Sequence, residues 1–230
     1  MANIKTWFKK HFITGYNKWE IGFLWSMVAL QALVFCINPD TPLNIIAGIA
    51  GVISVVLCAK GRTVFYYIGY IQNFTYMLLS FQNQFYGEVF EQVFYVITMI
   101  IGTKIWKDNE RQFADGTAEV KSRALTKGQW VLSVVFFVVG TLGFGYFLEG
   151  IGNAQAMTDS ATNVMAVIAQ LLMMLRYREQ WIWWLLIDLL CIKMWFVAGN
   201  WSMVAMYIAW TINCLYGWYN WKKLEGKSEL

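Results

Sequence analysis

Eight stretches of this chain, each 17 to 22 residues long and poor in charged side chains, lie at about 18–37, 43–59, 63–81, 86–106, 129–149, 160–176, 181–198 and 200–221. A run of that length is what an α-helix needs to cross the roughly 30 Å hydrocarbon core of a bilayer. Charged residues make up 14% of the 230, against about 25% in a soluble domain, too few to cover a water-facing surface. The pattern predicts an all-α integral membrane protein with eight transmembrane helices. Strands of an outer-membrane barrel would be about ten residues long with alternating polarity, which these runs are not. The basic N-terminus followed by an apolar run begins like a signal peptide. That run is too long, however, and NPDTP (38–42) follows it in place of a small-residue cleavage site, so it reads as a retained span.

The loops set the orientation. Seventeen of the eighteen Lys and Arg residues fall before the first run, in alternate loops, after the last run, or within three residues of a run end on that same side, and Lys193 is the exception. The positive-inside rule makes that side cytoplasmic and places both termini there. The net charge of +4 is explained by topology, so no nucleic-acid partner is expected. The middle loop, KDNERQFADGTAEVKSRALTKG (107–128), separates two halves that resemble each other. A shift of 119 pairs Asn44 with Asn163, Ala50 with Ala169 and Phe65 with Trp184; after a four-residue gap, Tyr95 pairs with Trp210, Gly102 with Gly217 and Trp106 with Trp221. Two three-span units keep the same orientation only if an odd number of spans separates them, and one does. The expected organisation is an N-terminal segment with an extra span (1–42), a three-helix repeat (43–106), a loop and linker helix (107–159), a second three-helix repeat (160–221) and a tail (222–230).

Polar and aromatic residues inside these runs are the candidates for function. Trp181, Trp184, Asp188, Cys191 and Trp195 recur at helical spacing. An ionised group facing lipid costs roughly 2.5–3.5 kcal/mol or more, so this stripe is expected to face protein or a small aqueous cavity. Gln72, Asn73 and Tyr76 occupy the middle of the third span; Glu88, Glu91, Gln92 and Tyr95 belong to the fourth; Tyr207, Trp210 and Asn213 match them in the last. Each also has an ordinary reading. Intramembrane amides tie helices together, the better account of Gln31, Asn44, Asn163 and Gln170. Tryptophans near helix ends form interfacial belts, the expectation for Trp7, Trp19, Trp25, Trp106, Trp130, Trp218 and Trp221. The four cysteines form no CxxC and the one histidine, His11, stands apart, so neither a disulfide framework, a metal site nor a cofactor is expected. There is no P-loop, HExxH or GxSxG, which disfavours ATP hydrolysis and membrane-enzyme chemistry.

The WxxW of Trp181 and Trp184, the run NQFYGEVFEQVFY (83–95), and the aromatic-amide pattern of Trp210, Asn213 and Trp218 resemble the PnuC vitamin transporters of bacteria. The three-plus-one-plus-three plan resembles the SWEET sugar transporters, a class in which parallel repeats hold the solute near mid-depth. The resemblance spans about residues 18–222. It implies uptake of nicotinamide riboside across the bacterial inner membrane by facilitated diffusion with alternating access. Phosphorylation by a cytoplasmic kinase would trap the product, and a homo-oligomer is compatible with it. The implied site comprises Trp181, Trp184, Asp188, Gln92, Tyr95, Gln72, Asn73, Asn213, Glu91, Tyr76, Trp195 and Trp210. Amides suit ribose hydroxyls, and ring faces attract a pyridinium charge by roughly 0.5–2 kcal/mol. Trp181 and Trp184 lie within two turns of the cytoplasmic surface, where gating is the alternative to base stacking. A SWEET-like carrier of a sugar, another vitamin or another nucleoside is the competing function, and a receptor that binds without moving solute is a third class.

Overall fold

A computed structural model describes residues 4–37, 41–84, 86–113, 117–152, 155–199 and 201–226. Lys227 in the tail and Asn38–Asp40 in the first loop lie outside the described residues. A short helix, α1 (Ile4–Phe12), precedes eight long ones: α2 (Lys18–Ile37), α3 (Pro42–Ala59), α4 (Phe65–Gln82), α5 (Tyr86–Asp108), α6 (Lys127–Gly150), α7 (Ala156–Met174), α8 (Gln180–Val197) and α9 (Trp201–Gly226). Each long helix falls on one of the eight runs. The helices α2, α3, α5, α6 and α8 are long and apolar enough to cross a membrane. The other three, α4, α7 and α9, carry the amides and polar aromatics that lower mean hydropathy. A membrane-protein fold built from helices follows, with one addition. The middle loop forms a two-stranded antiparallel ribbon, β1 (Glu110–Gln112) and β2 (Ala118–Val120), in which Glu110 faces Val120.

Local chemistry sets several boundaries. At the start of α2, Asn17 and Glu20 bond reciprocally, each backbone N–H donating to the other's side-chain oxygen at 2.7 and 2.8 Å, a capping box that satisfies two otherwise unpaired donors. Thr126 and Gln129 form another at the start of α6. Helix α3 begins with Pro42, which needs no N–H partner in the first turn.

The chain divides into two compact units, residues 1–121 with 220–230, and residues 122–219. In the first, α3 packs along α2 and α4, and α4 along α5; in the second, α7 packs along α6 and α8. Element boundaries recur at one interval. Helix α8 begins and ends 115 residues after α4, α9 begins 115 after α5, and α7 ends 115 after α3. The turns follow the same interval. Gly61 and Arg176 adopt φ of 71° and 66°, and Gln84 and Gly199 adopt 61° and 71°. The interval of 115 is the one at which the sequence pairs Tyr95 with Trp210 and Trp106 with Trp221.

In the first unit, the α3–α4 turn is a polar hub. Lys60 pairs with Glu20 at 3.0 Å and donates to the Gly15 carbonyl at 2.9 Å; Arg62 donates to the Thr14 carbonyl at 2.7 Å and lies 3.4 Å from Glu119. Both cations are buried. Trp106 and Trp221 are fully buried here, with ring centroids 5.4 Å apart, and the Trp221 indole N–H donates to the Cys58 carbonyl at 2.9 Å. The interfacial belt expected of these two tryptophans is thus corrected. Their rings close the base of the first unit, where a helix-end carbonyl supplies the indole's partner.

Candidate functional site

The first unit brings its polar mid-helix residues together in pairs. Asn73, at the ninth position of α4 and 2% exposed, donates through Nδ2 to Gln92 Oε1 of α5 at 2.8 Å. Gln92 is buried as well. One turn further along, the Tyr76 hydroxyl donates to Glu88 at 3.3 Å, and within α5 the Tyr95 hydroxyl donates to Glu91 at 2.6 Å. Gln72 packs toward α3, its side chain over Gly51. The Asn73–Gln92 and Tyr76–Glu88 bonds cross an α4–α5 seam, which continues where Tyr66 lies against Gly102 and where the Tyr70 and Thr103 hydroxyls bond at 3.1 Å. The arrangement leaves amide and hydroxyl groups already oriented by protein partners.

The second unit has a different set. Asp188, at the ninth position of α8 and 4% exposed, accepts a hydrogen bond from the Cys214 thiol of α9 at 3.3 Å. One turn on, the Cys191 thiol and the Tyr207 hydroxyl bond to each other. Tyr207 meets Trp210 edge to face, centroids 5.3 Å apart. Asn213 is buried beside Cys214 in α9, and Trp195 is half-buried near the far end of α8. Cys214 thus places a thiol, and Tyr207 a ring, beside the Asp188 carboxyl group.

The expected stripe on α8 divides. Trp181 is buried and turns to α9, lying on Gly217, whereas Trp184 is half-buried and packs against the α7 cluster of Val164, Met165, Ile168 and Leu172. Trp183, which sequence spacing left out, is buried in that same cluster against Trp130 and Phe137, with centroids 6.4 and 5.5 Å away. Rotation about a helix axis decides this, and an all-apolar helix carries little periodic signal to fix it. Two buried residues of the second unit escape the sequence reasoning. Cys214 reads as an ordinary core thiol until Asp188 is seen beside it. Gln180, at the start of α8, is buried with both amide atoms unbonded among the described residues. No group of three His, Cys, Asp or Glu side chains among the described residues could hold a metal ion.

Residues 41–223 match the family model described as nicotinamide mononucleotide transporter. The nicotinamide riboside transporter PnuC of Haemophilus influenzae is 36% identical over 217 residues, 94% of this chain and 95% of its own. Its namesake from Neisseria mucosa is 36% identical over 229 residues, 95% and 86% of the two chains. The PnuC of Escherichia coli is 25% identical over 210 residues. A crystal structure of the vitamin B3 transporter PnuC superposes with a TM-score of 0.82 at 34% identity, covering 96% of this chain and 97% of the other. These relatives are named as transporters, not as enzymes.

Proposed function

The chain belongs to the nicotinamide mononucleotide transporter family, and on that premise we propose that it carries nicotinamide riboside inward across the cytoplasmic membrane of a bacterium. What carries the reading is the 36% identity, over nearly the whole length of both chains, to a transporter named for that riboside. The residues favour the riboside over the mononucleotide. A phosphate group needs Lys or Arg partners or a cluster of backbone N–H groups. The long helices hold no Lys or Arg in their central turns; Lys193 is exposed about one turn from the end of α8. Aromatic faces, amides and carboxyl groups are what a flat cationic ring joined to a ribose uses.

In this proposal residues 43–106 and 160–221 are duplicated repeats, with the helix over 129–149 between them in sequence and both termini cytoplasmic. Gln72, Asn73, Gln92, Tyr76, Glu91 and Tyr95 serve the ribose from the first repeat. Trp181, Trp184, Asp188, Trp195, Trp210 and Asn213 serve the ring or its passage from the second. Transport is facilitated diffusion by alternating access, and a cytoplasmic kinase makes uptake one-way by phosphorylating the product.

Purified protein in liposomes tests this directly. Labelled nicotinamide riboside should enter until inside and outside concentrations are equal, with or without a pH gradient, and nicotinamide mononucleotide should stay outside. Entrapping a nicotinamide riboside kinase with ATP should convert equilibration into accumulation. Accumulation driven by the pH gradient alone would overturn facilitated diffusion, and failure to move the riboside would overturn the function.

A further inference from the structure

Residues 73 and 188 hold equivalent places, each the ninth residue of an 18-residue helix, at the 115-residue interval that relates α4 to α8. Both are buried. The side chains have the same shape and differ only in that an amide NH2 in one is a carboxyl oxygen in the other. In the first unit the position is filled by a neutral Asn73 that finds a full-strength amide partner in Gln92. Packing at this place therefore does not require an acid.

The second unit puts one there, and supports it poorly. The group bonded to Asp188 is the Cys214 thiol, a weak donor. Position 207, the counterpart of Gln92, is Tyr207, which is bonded to Cys191. No lysine or arginine among the described residues pairs with Asp188, and Lys193, five residues along the same helix, points away into an exposed position. A carboxyl group in such surroundings ionises only when a counter-charge arrives, since removal of a charge from water is repaid only by an opposite charge and hydrogen bonds. The Tyr207 ring, which meets Trp210 edge to face, adds a quadrupolar face that also attracts a cation. A protein that spends a buried acid where its own other half uses an amide has reserved that charge for something that arrives.

We propose that Asp188 is the charge-selecting residue of the carrier: it pairs with the positive ring of an N-ribosylated pyridinium and so favours that cation over a neutral riboside of the same shape. This rests on the riboside reading above and adds to it the basis of discrimination. The reduced 1,4-dihydropyridine riboside is the fitting comparison. It keeps the ribose and the carboxamide and lacks the ring charge.

Calorimetric titration of the detergent-solubilised full chain with the oxidised and the reduced riboside tests it. Wild-type protein should bind the cation at least tenfold more tightly than the dihydro form. In Asp188→Asn, which recreates in α8 the side chain present in α4, the ratio should collapse toward one because affinity for the cation falls further than affinity for the neutral form. Equal wild-type affinities would overturn the proposal without any variant, so a folding defect in Asp188→Asn cannot shelter it. A variant that keeps the tenfold preference would overturn it too, while leaving the transport reading intact. Wild-type protein that binds neither riboside overturns both.

Discussion

The Trp181 ring lies so close to Gly217 that a β-carbon added to the glycine would come within 2.5 Å of it. The first unit repeats the arrangement with Tyr66 against Gly102, and in both cases 36 residues separate ring from glycine. Neither glycine needs its backbone freedom, since both sit inside helices. What they supply is the absence of a side chain where two helices approach.

Replacing either glycine by alanine should therefore destabilise the protein, although alanine is the better helix former by about 1 kcal/mol. Overpacking against a fixed ring costs about 1–3 kcal/mol, leaving a net loss of up to about 2 kcal/mol. Gly143→Ala in α6, where an added β-carbon meets nothing within 4 Å, should be neutral or stabilising. Thermal unfolding of the three variants in one detergent separates the outcomes, and equal melting temperatures for all three would count against the close approach.

The Asn73–Gln92 bond joins α4 to α5 in a buried seam. Single replacements by alanine should each destabilise, and the double replacement by less than their sum. Interhelical bonds of this kind couple by about 0.6 kcal/mol on average and about 1.7 at most. A double-mutant cycle in chemical denaturation reads the coupling, and strict additivity would show that the bond does not form.

Lys60 and Glu20 form a buried ion pair, with side chains 7% and 9% exposed. Removal of one partner leaves the other charge stranded, a loss of about 3–5 kcal/mol. Lys60→Met and Glu20→Gln should each lower the melting temperature sharply, and the double variant should regain most of the loss. A double variant as unstable as the worse single one would mean the pair is not the source of the effect.

Tyr16 sits over the same hub, beneath the Lys60 ammonium and the Arg62 guanidinium at 4.9 and 5.8 Å from its ring centroid. Burial pushes its phenol well above the usual range, with Arg62 opposing. An acid whose folded value is raised keeps its contribution below the unfolded value of about 10 and loses it as pH climbs above that. Tyr16→Phe should accordingly soften the alkaline loss of stability above about pH 10, seen as a smaller drop in melting temperature than in the wild type.

Much of this fold is readable from hydropathy, because a span must be apolar for most of its length and the eight runs coincide with the eight long helices. The interval between the halves was harder. Asn44 with Asn163 and Ala50 with Ala169 are matches of common membrane residues, and they favour a spacing of 119. Helix ends and left-handed turns recur at 115, the spacing of Tyr95 with Trp210 and Gly102 with Gly217, and neither leaves a mark in composition. The antiparallel pairing of Glu110 with Val120 was out of reach for a related reason: strands of three residues have no period to detect, and β2 is fixed by a bond from the Val120 N–H to the Gly61 carbonyl at 2.8 Å, 59 residues away. Of the candidate residues, Asn73, Gln92, Asp188 and Asn213 were legible as polar groups where lipid would forbid them. Which way Trp181 and Trp184 turn was not, since α8 is apolar on every side.

Four of the six left-handed residues among the described ones show how the hairpins are specified. After α3 and α7 stand Gly61 and Arg176, and after α4 and α8 Gln84 and Gly199, so glycine appears once in each pair and in opposite halves. An arginine and a glutamine hold a conformation that ordinarily belongs to glycine. Tertiary packing, not local residue preference, therefore bends the backbone at these corners, and either half can serve as the template from which a missing glycine is restored in the other.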